Sequence, residues 1–302
     1  MAKGPLFGVP LAIKDIIDVR GMPTRGGSLT RKDASLAPCD ATVVERLKAA
    51  GAMIIGKAAT VEYAFGGWGT NETVGAPVNP WDSQNHRIPG GSSSGSGVAV
   101  ASGMVPGALG SDTGGSIRLP ASFSGLVGLK TTIGAIPTAG VLPLSQRLDT
   151  IGPMTRTVSD AARLFDCLCG NAEGTSLPSP QKDKKIFSGK RIGIPHDLGV
   201  SLHSDTARIW TKVIEDIERA GGHLVSVHYP KSIAEYAAPC GVFLAVDGYR
   251  NYKDLVEEEP NRLGHAVRRR MLGGRMVNAV EFLDQLAERD RNKGVIAQNF
   301  EE

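Results

Sequence analysis

Residues 90–128 read GGSSSGSGVAVASGMVPGALGSDTGGSIRLPASFSGLVG. A flexible linker is also rich in glycine and serine. This stretch differs because apolar runs, Val98 to Ala101 and Met104 to Leu109, lie between its Gly-Ser clusters, and it carries almost no charge. Apolar runs predict burial, and buried glycines mark close backbone approach or positive φ. The expectation is a buried helix and strand that hold a serine against backbone amide donors, as in a serine hydrolase.

The chain around it has 302 residues, enough for one large domain or two small ones. Its 38 glycines are the one compositional excess. The net charge is +3 with scattered basic residues, and Arg268-Arg269-Arg270 reads as a solvated helix face rather than a nucleic-acid patch. No apolar run approaches the roughly 18 residues of a membrane span, and the first residues lack a signal-peptide core. The four cysteines, Cys39, Cys167, Cys169 and Cys240, show neither disulfide nor zinc spacing. Cys167 and Cys169 read as core or reduced thiols, and a reducing cytoplasm is the expected location.

Working outward, residues 6–19 (LFGVPLAIKDIIDV) form an apolar run that favours a buried strand. Lys14 stands out within it, because lysine is rarely buried without a reason. On spacing alone its amine snorkels to solvent from a strand end. Residues 40–51 predict a short helix with Asp40 as N-cap and Gly51 as terminator, followed by a strand at 52–56. Gly51 to Lys57 nearly matches a phosphate loop, but Ala58 stands where Ser or Thr is required and the intervening residues are apolar strand. Asn71-Glu72-Thr73 matches a glycosylation acceptor only formally. Thr157 and Asp160 suggest a capping box before a helix. Residues 171–190 read as an exposed connection. Strands at 191–195 and 223–228 flank an amphipathic helix at 205–220, whose Ile209, Val213, Ile214 and Ile217 are expected inward. This β-α-β unit argues for parallel strands. Residues 231–302 read as mainly helical, with an amphipathic segment at 277–300.

Two chemical templates compete. Gly91 to Gly95 fits G-x-S-x-G, with Ser93 as nucleophile. That elbow needs a strand before it, whereas residues 84–90 read as loop, and none of the six histidines has a triad context. The second template needs no histidine. A serine can be activated by a neutral lysine whose amine is desolvated, with a second serine as proton relay. Lys14 suits that role. In Gly110-Ser-Asp-Thr-Gly-Gly-Ser116 the amides of Thr113, Gly114, Gly115 and Ser116 can converge on one point, and preorganised donors of that kind contribute on the order of a few kcal/mol each to an oxyanion.

With these residues in view, the chain resembles the amidase signature family. The matching segments are GVPLAIKDI at 8–16, NPW at 79–81, PGGSSSGSG at 89–97, GSDTGGSIR at 110–118, GLVGLKTT at 125–132 and DTIGPMTRTVSD at 149–160. The likeness is dense over 4–170 and looser over 190–302. It implies an α/β fold with a mixed, largely parallel β-sheet flanked by helices. It also implies an amidohydrolase in which Ser116 is the acyl nucleophile, Ser92 the relay serine after a cis peptide bond, and Lys14 the base. Ser93 would support the relay, Asp112 and Arg118 would brace the oxyanion turn, and Ala64 and Phe65 would border the acyl pocket. No cofactor or metal is called for. The expected partner is a small-molecule amide, not nucleic acid or membrane, with a homodimer left open. The domain assignment is a single amidase domain over 1–302, with a signature core at 1–170. Family members carry helices before the lysine strand and a long C-terminal portion, so a domain shortened at both ends, with an incomplete sheet, is expected. A glutaminase-like component of an amidotransferase and a non-catalytic homologue are the competing functions.

Overall fold

The computed structural model describes residues 4–171, 185–258 and 262–300. Most of the connection expected at 171–190 therefore lies outside the described residues. The chain divides into two compact units, Met1–Leu177 with Phe243–Met276, and Pro178–Val242 with Val277–Glu302.

The first unit is built on a five-stranded sheet of order β2-β1-β3-β5-β4. Its strands are β1 (Pro10–Lys14), β2 (Met53–Ala58), β3 (Gly107–Asp112), β4 (Val127–Gly128) and β5 (Thr150–Thr155). β1 runs parallel to both β2 and β3, while β5 is antiparallel to β3 and to β4. Four strands thus point one way and β5 alone is reversed, which is the mixed, largely parallel arrangement that the sequence implied.

Strand alternation sorts the core onto two faces. Leu11 and Ile13 of β1 pack with Val43, Val44 and Leu47 of α1 (Thr42–Ala49) and with Leu164 and Leu168 of α4 (Val158–Cys169). Ala12 faces the other way, into a cluster of small residues with Ala58, Val100 and Ala108. That cluster admits α2 (Ser94–Ala101) close against the sheet. Gly95 is required there, because a Cβ would overlap the backbone of Ala59. Lys14 shares the parity of Ala12 and so points toward α2.

Two capping expectations meet different outcomes. Thr157 caps α4 by accepting the Asp160 amide at 3.1 Å, and its hydroxyl donates to the Asp160 carboxylate at 2.6 Å. Asp40 does not cap α1. The N-cap is Ala41, and the Asp40 carboxylate instead accepts from the Arg20 amide and the Lys48 ammonium, both at 2.7 Å. One residue too early to reach the helix amides, it finds a cation further along the helix. Gly56 and Lys57 belong to strand β2, and Lys57 pairs with Asp15 at 2.8 Å.

Two further helices complete this unit, the Phe243–Glu258 part of α6 (Ala237–Glu258) and α7 (His265–Arg275). Buried Asp247 of α6 accepts from Ser145 Oγ at 2.5 Å and from Arg147 Nε at 2.9 Å. The arginine run on α7 is not a uniformly solvated face. Arg268 donates to the Val256 carbonyl at 3.0 Å and Arg270 to the Phe65 carbonyl at 2.9 Å, leaving only Arg269 exposed. Guanidinium groups are drawn in because carbonyls at helix and loop ends lack partners.

In the second unit, β6 (Arg191–Pro195) and β7 (His223–Val227) pair in parallel around α5 (Ser204–Arg219), the expected β-α-β unit, and α8 (Ala279–Gln298) follows. The helix face does not bury as expected. Ile209 and Val213 are 58% and 46% exposed, and only Ile214 and Ile217 are half-buried. Two strands at about 4.8 Å spacing are too narrow to cover a whole helix face. Among the described residues no helix is long and apolar enough to cross a membrane.

Candidate active site

The site is assembled where β1 and β3 end beside the start of α2. Lys14 is fully buried. Its Nζ donates to Ser92 Oγ at 2.7 Å and to Ser111 Oγ at 2.8 Å. The snorkelling expected from spacing alone is therefore wrong, because segments far along the chain roof over the strand end. Burial drives the lysine from its ordinary value of 10.5 down to about 7, against the pull of Asp149 and Asp112. Desolvation wins because among the described residues no carboxylate forms an ion pair with the amine, while both bonded partners are neutral hydroxyls.

Ser92 follows a cis Gly91–Ser92 peptide bond. Its carbonyl is held by the Val61 amide and by Thr60 Oγ1, both at 3.0 Å, so Ser92 is anchored through its backbone and its hydroxyl stays toward Lys14. Ser93, fully buried, does not face the lysine. Its Oγ accepts from the Ser111 amide and donates to the Ser111 carbonyl, both at 3.2 Å. Its own amide donates to the Ser116 carbonyl at 3.2 Å. Ser93 thus ties the relay segment to both β3 and the turn bearing Ser116.

That turn is organised by Asp112. Its carboxylate accepts from the amides of Gly115 at 2.7 Å and Ile117 at 3.1 Å, and from Arg118 Nε and Nη2 at 3.0 Å each. Burial would raise this acid, but Arg118 and the amides outweigh burial and hold it below its ordinary value. The bracing pair read from sequence is present. One expectation needs correction, since the Gly115 amide is committed to the Asp112 carboxylate rather than left to converge with those of Thr113, Gly114 and Ser116. Gly115 has φ of +128°, where a side chain is strained. Thr113 Oγ1 donates to Asp149 at 2.6 Å, and Ser116 is 8% exposed. Gly114 lies between them in the same turn.

Ala64 and Phe65 sit in a short turn that starts at Val61, the residue whose amide holds Ser92. Tyr63 and Ala64 adopt positive φ of 50° and 59°, a conformation non-glycine residues hold only when their surroundings enforce it. The enforcement comes from buried Glu62, which accepts from Ser28 Oγ at 2.6 Å and the Gly264 amide at 2.8 Å, and from Arg270 on the Phe65 carbonyl. Burial pushes Glu62 above its ordinary value.

Sequence reasoning missed Ser111, Asp149 and Glu62. The signal for Ser111 was available: a hydroxyl in a wholly buried strand needs a partner. Asp149 opens the family-matching segment at 149–160 but carries no role there, and nothing in the local sequence marks Glu62. Among the described residues no cluster of His, Cys, Asp and Glu could hold a metal ion.

Residues 1–301 match the amidase family along almost the whole chain. The chain belongs to the amidase family. Among its relatives, a Glutamyl-tRNA(Gln) amidotransferase component from Symbiobacterium thermophilum is 44% identical over 251 residues, covering 80% of this chain and 50% of that protein. The 2-amino-5-chloromuconic acid deaminase of Comamonas testosteroni is 36% identical over 304 residues, covering 99% and 64%. A crystal structure of an amidase superposes with a TM-score of 0.85 at 34% identity, covering 98% of this chain and 65% of the other. The chain therefore spans half of one curated relative and just under two thirds of the other.

Proposed function

We propose that this amidase-family chain hydrolyses the C–N bond of a small carboxamide through an acyl-enzyme on Ser116. The observation that carries the reading is the fully buried Lys14 amine, poised near pH 7 and 2.7 Å from Ser92 Oγ. A lysine in that state is half neutral at physiological pH and has a lone pair to offer. The bond to Ser111 occupies one N–H and so helps to aim the lone pair at Ser92.

Lys14 takes the proton of Ser92 as Ser92 takes that of Ser116, and Ser116 Oγ attacks the carbonyl carbon. The amides of Thr113, Gly114 and Ser116 hold the oxyanion. Lys14 returns the proton through Ser92 to the leaving nitrogen as the C–N bond breaks. Water then attacks the acyl ester, giving the carboxylic acid and restoring Ser116. Ala64 and Phe65 border the acyl group, and the turn's fixed backbone geometry sets that wall. The cysteines fit a reducing cytoplasm in this reading.

A fluorophosphonate probe tests it. Labelling should map to Ser116, disappear in Lys14→Ala, and rise with pH through a limb near 7. A folded protein that never labels refutes the proposal. A second reading is favoured by the identity to the amidotransferase component: the same chemistry on glutamine, with ammonia passed to a partner protein. Hydrolysis that appears only with partner proteins present selects it.

A further inference from the structure

We infer that Asp149 positions this site from outside the reacting set: bonded to Thr113, two residues past the Ser111 that holds Lys14, its carboxylate fixes the turn that carries Ser116 and brings a negative charge to the region of the buried amine. Its catalytic readout rests on the amidase reading above, but its physical content does not.

Asp149 is held on three sides. Its Oδ1 accepts the Thr113 hydroxyl at 2.6 Å, and its Oδ2 accepts the amides of Leu144 at 2.9 Å and Ser145 at 3.0 Å. The 144–149 turn is in turn fixed to α6 by Ser145 and Arg147 on Asp247. The next residue, Thr150, stands opposite Asp112 in the β3–β5 register and donates to the Asp112 carbonyl at 2.7 Å. Residues 149 and 150 therefore grip residues 112 and 113 from the reversed strand, just before the turn that leads to Ser116.

Few uncompensated charges face Lys14. Ser92 and Ser111 are neutral. Asp112 of β3 is neutralised by Arg118 at 3.0 Å, and Lys130, beyond β4, also feels Asp112. Asp15 is taken by Lys57 at 2.8 Å. The bonds Asp149 receives come from a hydroxyl and two amides, so its charge is not cancelled by them; Tyr252, which faces it from α6, is a neutral phenol. Burial raises Asp149 above its ordinary value, and its three bonds and the Lys14 amine oppose that rise. With Asp112 paired to Arg118, Asp149 is the carboxylate left to favour the protonated form of Lys14. Burial alone would carry the lysine lower still. Asp149 keeps it within reach of neutral pH, where a general base works best.

Asp149→Asn separates the two roles. The amide can keep all three bonds, its oxygen taking the Leu144 and Ser145 amides and its NH2 donating to Thr113, while the charge is lost. The pH limb of Ser116 fluorophosphonate labelling should move down by about one pH unit. Thr113→Val should leave the limb in place and slow plateau labelling by about tenfold. Asp149→Glu should return the limb toward its wild-type position. An activity-independent arm is a double-mutant cycle of Asp149→Asn and Lys14→Met, read as urea midpoints at pH 6 and pH 9, either side of the Lys14 value of about 7. Coupling present at pH 6 and gone at pH 9 supports the inference. An unmoved limb in Asp149→Asn, or equal coupling at both pH values, overturns it. Wild-type protein that never labels but shows the pH-dependent coupling would refute the amidase reading while leaving the placement of Asp149 intact.

Discussion

Lys14→Met tests how completely the fold strips water from the amine. The lysine titrates at 10.5 when unfolded and at about 7 when folded. Between those values the unfolded chain binds the proton that the folded chain has released, so stability rises with pH. The contribution is complete above 10.5 and is lost as pH falls to about 7. At ~1.36 kcal/mol per pKa unit the whole swing is about 5 kcal/mol, of which roughly 2.5 kcal/mol falls between pH 7 and pH 9. Methionine has a similar reach and no charge. It removes this slope, and it also strands the hydroxyls of Ser92 and Ser111 at a pH-independent cost of about 1–3 kcal/mol. Urea unfolding followed by circular dichroism at pH 7, 8 and 9 should therefore show wild-type stability gaining on Lys14→Met by roughly 2.5 kcal/mol from pH 7 to pH 9. Groups not coupled to Lys14 titrate alike in both and cancel in the difference, and Asp149, which is coupled to it, is an acid whose own shift is read separately in Asp149→Asn. Parallel curves would mean that Lys14 keeps an ordinary pKa in the folded protein, and both the desolvation argument and the proposed base would fall.

Other perturbations probe the frame of the site. Asp112→Asn removes the charge that holds Arg118 and the Gly115 and Ile117 amides; labelling of Ser116 should slow more than tenfold, and stability should fall by roughly 1–3 kcal/mol in urea unfolding. Gly115→Ala adds a Cβ at φ +128°, 3.1 Å from Leu119 Cδ1, and should destabilise by about 1–3 kcal/mol while slowing labelling. Glu62→Gln leaves one acceptor for two donors, Ser28 Oγ and the Gly264 amide; a loss of about 1–3 kcal/mol and a raised KM for amide substrates are expected, as the turn at Ala64 loosens.

Which parts were legible in the sequence follows from the range of the forces involved. The buried helix and strand inside 90–128, the β-α-β unit at 191–228 and the Thr157 cap were readable because period and capping act over a few residues. The Asp112–Arg118 brace was readable for the same reason. The state of Lys14 was legible only through the two-serine template and the family resemblance, because spacing within β1 shows which residues are apolar but not what covers the strand end. Its cover, Ser92 and Ser111, lies 78 and 97 residues away. The α5 face was over-read for the opposite reason: the period was correct, but a two-stranded sheet offers too little surface to bury it. Asp40 was misassigned by a single residue, within the usual uncertainty of helix starts. The inward amide of Gly115 depends on how one carboxylate distributes its lone pairs, which no residue pattern encodes.

The place of β1 between β2 and β3 also bears on synthesis. The lysine strand is made well before its environment, which is supplied by residues that a ribosome adding about 5–20 residues per second delivers only after several more seconds. In the finished fold β3 closes the second edge of β1, and its Ser111 holds the amine. A nascent chain halted short of Ser111 has Ser92 in hand and still lacks a buried amine. In the proposed mechanism, then, the serine that attacks and the surroundings that set its base come from one strand and the turn that follows it.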